Sequence, residues 1–323
     1  MALLDYLLII PSLALSLAVV VPLTGVLVRF RANYTPRGLA LDAEGSALPH
    51  TGPTLNSFWA TGKRVYRLEG VSGFYKGLMP TLLTATVMSI VILLFVDSSG
   101  GSPGRHGYRP PSTGVLGTFI YALSLVVLSL PSAIITYRAI TTPHKLPYFG
   151  PMKSLRVLLT PTERSRPWII YLTPGLLATQ FVHTAYITLV LGPLHRLLVP
   201  LAMGPGGVSY PDTSPLKFAI CIAIILLSTG LLTPLEVITV RLAIQRNQSS
   251  SDYNSVSQEV EGDAEDLPEY AGVEEDVIGL RTENEPYTGL VDCAKTIVNE
   301  EGFRALYRAW WVTILGAFAS ALG

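Results

Sequence analysis

Three prolines lie near the ends of three long apolar runs, and each precedes an arginine by seven residues. The prolines are separated by 109 and 103 residues, which predicts one unit of about a hundred residues used three times. A proline inside a membrane helix kinks the helix, so three in register predict three helices that converge at one end. The three pairs are Pro22 and Arg29, Pro131 and Arg138, and Pro234 and Arg241.

The composition indicates a membrane protein, because mean hydropathy is +0.43 and only 14% of the 323 residues are charged. Six apolar stretches approach the roughly 20 residues that a membrane helix needs. The first is too long for a cleaved signal peptide. The last is short, and about ten further residues would complete a spanning helix. The six stretches are residues 4–30, 78–96, 114–138, 170–199, 216–243 and 307–323.

These runs predict an all-α membrane protein with six transmembrane helices, arranged as three helical hairpins. The predicted repeats are residues 1–100, 101–200 and 201–323. Each repeat has an odd-numbered helix that ends at the proline and arginine, a polar connection, and an even-numbered helix. The third connection contains an acidic insert at about 246–286.

The acidic insert concentrates the negative charge of the chain. Residues 251–286 hold 12 of the 23 acids and one base, Arg281, so the remainder is basic. Few apolar residues are available there to offset the entropy of ordering, which predicts a disordered linker. A regulatory segment that binds a protein partner is the alternative. The basic remainder either faces anionic lipids or solutes, or only sets the topology of the helices.

Two similar phrases precede the even-numbered helices of the first and third repeats. Glu69-Gly70 is followed by Tyr75 and Lys76, and Glu301-Gly302 is followed by Tyr307 and Arg308. An amphipathic pattern from Leu290 predicts a short helix that stops at Gly302. In the second repeat Arg166 stands where the glycine would be, so the phrase is eroded.

Together these features resemble the mitochondrial carrier family, whose motif is Pro-x-Asp/Glu-x-x-Lys/Arg followed by a Glu-Gly phrase. The third repeat carries the motif best, in Pro234-Leu-Glu236 through Arg241. The resemblance covers nearly the whole chain. It implies three two-helix repeats, a central substrate cavity and solute transport across a mitochondrial membrane.

The charged ring that closes one end of such carriers is nearly absent. In the family, the acid two residues after one proline pairs with the base five residues after the next. Glu236 is the only one of the six charges present, and its expected partner is Leu27. Arg29, Arg138 and Arg241 are expected to mark helix ends at the level of the lipid phosphates, unless one of them reaches Glu236. The other ring positions are Thr24, Ala133, Thr136 and Thr239.

At the opposite end the family pairs an acid of the second helix with a base of the fourth. The corresponding residues are Asp97 and Arg196. The resemblance therefore predicts one ion pair there. Two independent charges that face water are the alternative.

The resemblance also places substrate contacts on the even-numbered helices. The corresponding residues, Thr84, Gln180 and Gly316, are uncharged, which argues against a multiply anionic substrate, because an ion at the membrane centre needs a compensating charge. His183 lies one turn beyond Gln180 and is either a packing residue or a ligand. A neutral or weakly charged small solute is expected.

Two functions remain open. The first is a divergent carrier, with the inner mitochondrial membrane preferred over the outer one. The second is a carrier fold without transport that acts as an outer-membrane scaffold or adaptor in mitochondrial fusion or organisation. Neither requires catalysis, a metal, a cofactor or nucleic acid. The expected partners are membrane lipids, including anionic ones, a small solute, and a protein that binds the acidic insert.

Overall fold

The computed structural model describes residues 2–37, 40–41, 47–48, 53, 55–98, 114–147, 150–198, 202–204, 207–209, 214–246, 276–281 and 285–322. Most of these residues are helical. The α-helices are α1 (Ala2–Ala32), α2 (Phe58–Phe74), α3 (Leu78–Ser98), α4 (Gly114–Thr141), α5 (Pro151–Leu158), α6 (Pro161–Ser165), α7 (Leu176–Ala185), α8 (Gly192–Leu198), α9 (Pro215–Ile244), α10 (Leu290–Glu300) and α11 (Trp310–Leu322).

Two short hairpins accompany the helices. Strand β1 (Ala40–Leu41) pairs antiparallel with β2 (Ala47–Leu48). Strand β3 (Ala202–Gly204) pairs antiparallel with β4 (Gly207–Ser209). Both hairpins lie in connections between long helices and do not contribute to the site described below.

The three helices that contain the repeated prolines end alike. Each of α1, α4 and α9 stops ten residues after its proline and three residues after its arginine. The prolines are therefore inside the helices, and the arginines are in the last turn. Cationic side chains are favoured there by the helix dipole.

The fourth apolar stretch differs from its predicted bounds of 170–199. Residues Pro167–Leu172 form a 3-10 turn, and α7 begins only at Leu176. Pro174 and Gly175 cause the break, because Gly175 has a φ of 77°, a left-handed conformation that favours glycine. After α7 the helix continues through a π-helical segment, Tyr186–Leu191, into α8. Pro193 lacks the N–H for a regular helical bond at this junction.

Four helices in the described part of the chain are long and apolar enough to cross a membrane. They are Leu15–Ala32 of α1, Gly114–Thr141, the combined Leu176–Leu198 and Pro215–Ile244. The apolar part of α3, Leu78–Ile90, is shorter, and α11 has 13 residues. The described helices therefore fit an all-α membrane protein with several spans.

Short amphipathic helices connect the long ones. Helix α2 bends at Gly70, whose φ is 69°, and α10 ends at Glu300, just before Gly302. The predicted helix before Gly302 is thereby confirmed. Its buried face, Cys293 and Ile297, packs into the largest apolar cluster, which also contains Ile134 and Leu242. The core is thus concentrated where the ends of α4 and α9 meet the connecting helices.

Part of the predicted disordered insert is ordered. Residues 276–281, called the docked segment below, bury Val277 and Ile278 against α1, α2 and α9. The Gly279 N–H donates to Asn33 Oδ1 at 2.9 Å, and the Gly279 carbonyl accepts from the Tyr34 N–H at 2.8 Å. The sequence did not predict this burial, because the composition of the insert as a whole is polar and Val277 and Ile278 are only two of its residues. Residues 247–275 and 282–284 of the insert lie outside the described residues.

Candidate functional site

The three repeated arginines are buried in ion pairs. Arg29 contacts Glu69 at 2.6 Å. Arg138 contacts Glu163 at 2.7 Å, and Arg241 contacts Glu301 at 2.8 Å. All six side chains are at most 4% exposed. The arginines do lie at helix ends, as predicted, but they contact buried glutamates there instead of lipid phosphates, and the arginine that reaches Glu236 is Arg31.

These arginines also bind backbone carbonyl groups of neighbouring helices. Arg138 donates to the carbonyl of Ala243 at 3.3 Å and to that of Gln245 at 2.6 Å, at the end of α9. Arg241 donates to the carbonyl of Arg31 at 2.8 Å, at the end of α1. Helix C-termini have carbonyls without intrahelical partners, and a guanidinium has enough donors to bind several of them. Arg138 and Arg241 thus join the ends of the long helices, and Arg29 donates to the Gly73 carbonyl at the end of α2 at 2.9 Å.

Glu163 is the acid of the second repeat, and the sequence did not predict it because no glycine follows it. A local signal was present in Thr160-Pro161-Thr-Glu163, which has the spacing of a capping box. In the structure the Glu163 N–H donates to the Thr160 hydroxyl at 3.2 Å, and the Thr160 N–H donates to the Glu163 carboxylate at 3.1 Å. The capping box orients the carboxylate toward Arg138.

Two of the buried acids have a second cationic partner. Lys76 contacts Glu69 at 2.5 Å, and Arg308 contacts Glu301 at 3.0 Å. Burial lowers the pKa of Lys76, and the charge of Glu69 opposes this effect. Burial, followed by repulsion from Arg241, lowers the pKa of Arg308 to about 10. These contacts link the Tyr-base phrases that the sequence singled out to the acids that precede them.

Glu236 has a partner that the motif did not predict. Its Oε2 accepts from Arg31 at 2.5 Å and from the Thr313 hydroxyl at 2.7 Å. Its Oε1 lies 3.9 Å from His183 Nε2, which is too long for a hydrogen bond. Arg31 was missed because it stands nine residues after Pro22, outside the motif. Four helices, α1, α7, α9 and α11, therefore meet at this carboxylate.

The cluster around Glu236 lies at a cavity of about 470 Å³, within the range of small-molecule sites. Its lining comes from α1, α4, α7, the π-helical segment, α9 and α11. The lining residues are Leu27, Arg31, Tyr137, Gln180, His183, Ile187, Leu191, Leu232, Glu236, Thr239, Val240, Val312, Thr313, Gly316 and Ala317.

Three of the four candidate substrate contacts, Gln180, His183 and Gly316, are in this lining. Thr84 is not among the lining residues. Its hydroxyl donates to the Pro80 carbonyl at 2.6 Å and also contacts the Ser132 hydroxyl, on α4. Thr84 thus joins α3 to α4, and the structure gives it no contact with the cavity.

Two buried nitrogen atoms at the cavity are not hydrogen-bonded. Within the described residues, neither His183 Nε2 nor Arg31 Nε has a hydrogen-bond partner. Buried polar atoms are usually paired, so each such atom calls for an explanation. Both atoms belong to residues that contact the Glu236 carboxylate, Arg31 through a terminal nitrogen at 2.5 Å and His183 through Nε2 at 3.9 Å. In the same part of the chain, no group of three His, Cys, Asp or Glu side chains could hold a metal ion.

The predicted ion pair between Asp97 and Arg196 is not settled by the structure. Arg196 is exposed on α8. The side chain of Asp97 lies outside the described part of α3. The pair therefore stays a prediction.

The family assignment follows from a match to a family model described as mitochondrial carrier protein, over residues 12–100 and 212–322. These two regions make up more than half of the chain and lie within the first and third predicted repeats. A search among curated proteins found no match. The helical architecture with apolar spans agrees with the family match. The chain therefore belongs to the mitochondrial carrier family, whose members are multi-pass transporters of mitochondrial membranes.

Proposed function

We propose that this protein transports a small neutral or weakly charged solute across the inner mitochondrial membrane. It uses three two-helix repeats, and six membrane helices surround the substrate cavity. The observation that carries the proposal is the cavity of about 470 Å³, because three contact residues predicted from the sequence line it. Gln180 and His183 lie on α7, and Gly316 lies on α11.

The three-repeat arrangement is supported by the equivalent geometry of three helix ends. Each of α1, α4 and α9 ends three residues after an arginine, and each arginine pairs with a buried glutamate further along the chain. Structural repeats around a central site are the arrangement that transporters use for alternating access, in which the repeats move as rigid bodies.

The choice of substrate follows from the charge of the cavity. Arg31 and Glu236 compensate each other at 2.5 Å, and the predicted contact residues add no permanent charge. A multiply charged solute would therefore lack compensation near the membrane centre, at a cost of several kcal/mol, on the order of 3 per charge.

The test is solute uptake by the purified protein in liposomes, across a panel of labelled neutral, zwitterionic and singly charged metabolites. A β-carbon at Gly316 would meet open space, so Gly316→Leu adds a large side chain at a lining residue of the cavity without a backbone clash. We expect this variant to reduce uptake at least ten-fold.

Gly230 is the matched control, because a β-carbon there also meets open space and the residue does not line the cavity. Gly230→Leu should transport at the wild-type rate. Absence of uptake for every solute would contradict transport and favour the scaffold function. Equal losses in both variants would contradict the assignment of the cavity.

The inner membrane is tested by protease access to the acidic insert in intact mitochondria. Protection of the insert until the inner membrane is opened supports an inner-membrane carrier with the insert in the matrix. Cleavage in intact mitochondria would place the protein in the outer membrane.

A further inference from the structure

We propose that His183 and Glu236 form a proton-binding site, and that a proton taken up there allows the cavity to bind a small monoanion. This inference rests on the proposed transport function and names its substrate class and its coupling ion. The solute is a singly charged anion, such as a monocarboxylate or an inorganic anion of similar size.

The first step is the geometry of Glu236. Its Oε2 accepts two hydrogen bonds, from Arg31 at 2.5 Å and from Thr313 at 2.7 Å. Its Oε1 faces His183 Nε2 across 3.9 Å, and that nitrogen has no partner among the described residues. A protonated imidazole donates from both ring nitrogens. Protonation of His183 would therefore supply the donor that the second carboxylate oxygen lacks.

The second step is the charge balance. With a neutral His183, the positive charge of Arg31 and the negative charge of Glu236 cancel. A proton on His183 leaves the cluster with one surplus positive charge. Such a charge within the membrane is costly unless an anion compensates it. A bound monoanion restores neutrality, so the proton and the anion must favour each other's binding.

The third step is the chemistry that surrounds the pair. The other titratable groups at the cavity are Tyr137, on α4, and Tyr186 nearby, whose hydroxyl is within 2.9 Å of Ser228 on α9. Helix α11 contributes the hydroxyl of Thr313 and no charge. Tyrosines are neutral at physiological pH. His183 is therefore the cavity group whose side-chain type changes charge between pH 5 and 8.

The donors for an anion are also present. The unpartnered Arg31 Nε and the amide of Gln180 are both on residues that line the cavity. Hydrogen bonds from charged donors to an anion are about twice as strong as neutral ones. A protonated His183 compensates part of the charge of Glu236, and the guanidinium of Arg31 can then bind the anion.

The experiment measures anion binding to the purified protein in detergent, from the rise in unfolding temperature at pH 5.5 and at pH 7.5. Lactate, nitrate and inorganic phosphate are the probes. Nitrate keeps its charge over this range, so any pH dependence of nitrate binding comes from the protein. A comparison of lactate with phosphate shows whether the site prefers a carboxylate or a phosphate. Histidine is the side-chain type that gains a proton as pH falls through this range, so binding that needs the proton should strengthen at the lower pH. We expect an apparent affinity several-fold tighter at pH 5.5 than at pH 7.5.

Two variants give opposite results. His183→Gln should bind anions weakly at both pH values, because it cannot take up the proton. Glu236→Gln leaves Arg31 uncompensated, so it should bind anions at both pH values without needing the proton. An unchanged pH dependence in His183→Gln, or no anion binding by the wild type at pH 5.5, would overturn the inference.

Uptake by liposomes separates this inference from the proposed function. A proton and a monoanion that move together carry no net charge, so the inference predicts acidification of the lumen and no response to an imposed potassium potential. Protein-free liposomes correct for diffusion of the free acid. Uptake without acidification overturns the inference and keeps transport. Proton-dependent binding without any uptake supports the site and contradicts transport.

Discussion

The ion pair between Arg138 and Glu163 allows the clearest test of how the helix ends are held. The Arg138 side chain is 4% exposed and that of Glu163 is fully buried. Glu163→Gln keeps the size of the side chain and one acceptor oxygen, and glutamine also serves at this position of a capping box. The substitution therefore removes the negative charge and leaves the helix cap in place.

The magnitude follows from what remains around Arg138. Removing one partner of a buried ion pair costs about 3–5 kcal/mol, because the other charge is left buried without compensation. Arg138 still donates to the carbonyls of Leu158, Ala243 and Gln245, which favours the lower limit. For a chain of 323 residues, a loss of about 3 kcal/mol corresponds to a decrease in unfolding temperature of roughly 4–5 °C.

The assay is thermal unfolding with a thiol-reactive dye, because Cys221 and Cys293 are both buried and become reactive on unfolding. Arg164→Gln is the control, since it removes a neighbouring charge that is exposed on α6. Its unfolding temperature should remain close to that of the wild type, because exposed substitutions usually change stability by less than about 0.5 kcal/mol.

The reverse substitution provides the refutation. Arg138→Met leaves the fully buried carboxylate of Glu163 unpaired and should be the least stable variant. The double variant Arg138→Met/Glu163→Met should be more stable than Arg138→Met, because no buried charge remains. If Glu163→Gln unfolds at the wild-type temperature, or if the double variant is the least stable, uncompensated charge is not the cause of the destabilisation.

Three further outcomes are expected. Gly175→Ala should lower the free energy of unfolding by roughly 2–3 kcal/mol, because Gly175 has a φ of +77° and a β-carbon would lie 2.3 Å from the backbone nitrogen of Leu290. Gly230→Ala should leave stability unchanged, because a β-carbon there meets open space. Thermal unfolding of both variants tests this. Ile278→Ala should lower the free energy of unfolding by about 2–4 kcal/mol and increase hydrogen exchange in the docked segment, because Ile278 is buried. Leu280→Ala should change neither, because the Leu280 side chain is exposed. Equal hydrogen exchange in the two variants would contradict the packing. Burial raises the pKa of the Cys293 thiol to about 12, so its contribution to stability is complete below pH 9 and is lost as pH rises from 9 toward 12. Between pH 9 and 11 the free energy of unfolding of the wild type should therefore decrease by about 2 kcal/mol more than that of Cys293→Ala. Chemical unfolding measures both, and identical decreases would refute this prediction.

The sequence predicted most helix bounds because length, hydropathy and helix-breaking residues are local properties. The third and fifth apolar runs were placed at 114–138 and 216–243, and the structure has Gly114–Thr141 and Pro215–Ile244. The start of α7 was placed too early, because Tyr171 and its neighbours are apolar in a 3-10 turn as well as in a helix. Hydropathy alone does not separate these two conformations.

The site was predicted only where the family motif supplied positions. Gln180 and Gly316 were predicted because they correspond to the family's substrate contacts, and His183 because it lies one turn beyond Gln180. The partner of Glu236 was not, because Arg31 is 205 residues away in sequence and the pairing depends on how two helices cross. The burial of Arg29 could not be predicted either, because an arginine at a helix end is equally compatible with lipid phosphate and with a buried glutamate.

The docked segment also limits the free-energy cost of lengthening the acidic insert. Arg246 donates to the Val157 carbonyl at 3.4 Å on one side of residues 247–275, and Asp276 is bound by Arg64 at 3.1 Å on the other. When both ends of a loop are fixed, each doubling of its length costs only about 0.6 kcal/mol of closure entropy. The carrier body thus has a position at which additional sequence can be accommodated with little loss of folding free energy, so the insert can change in length and composition independently of the cavity.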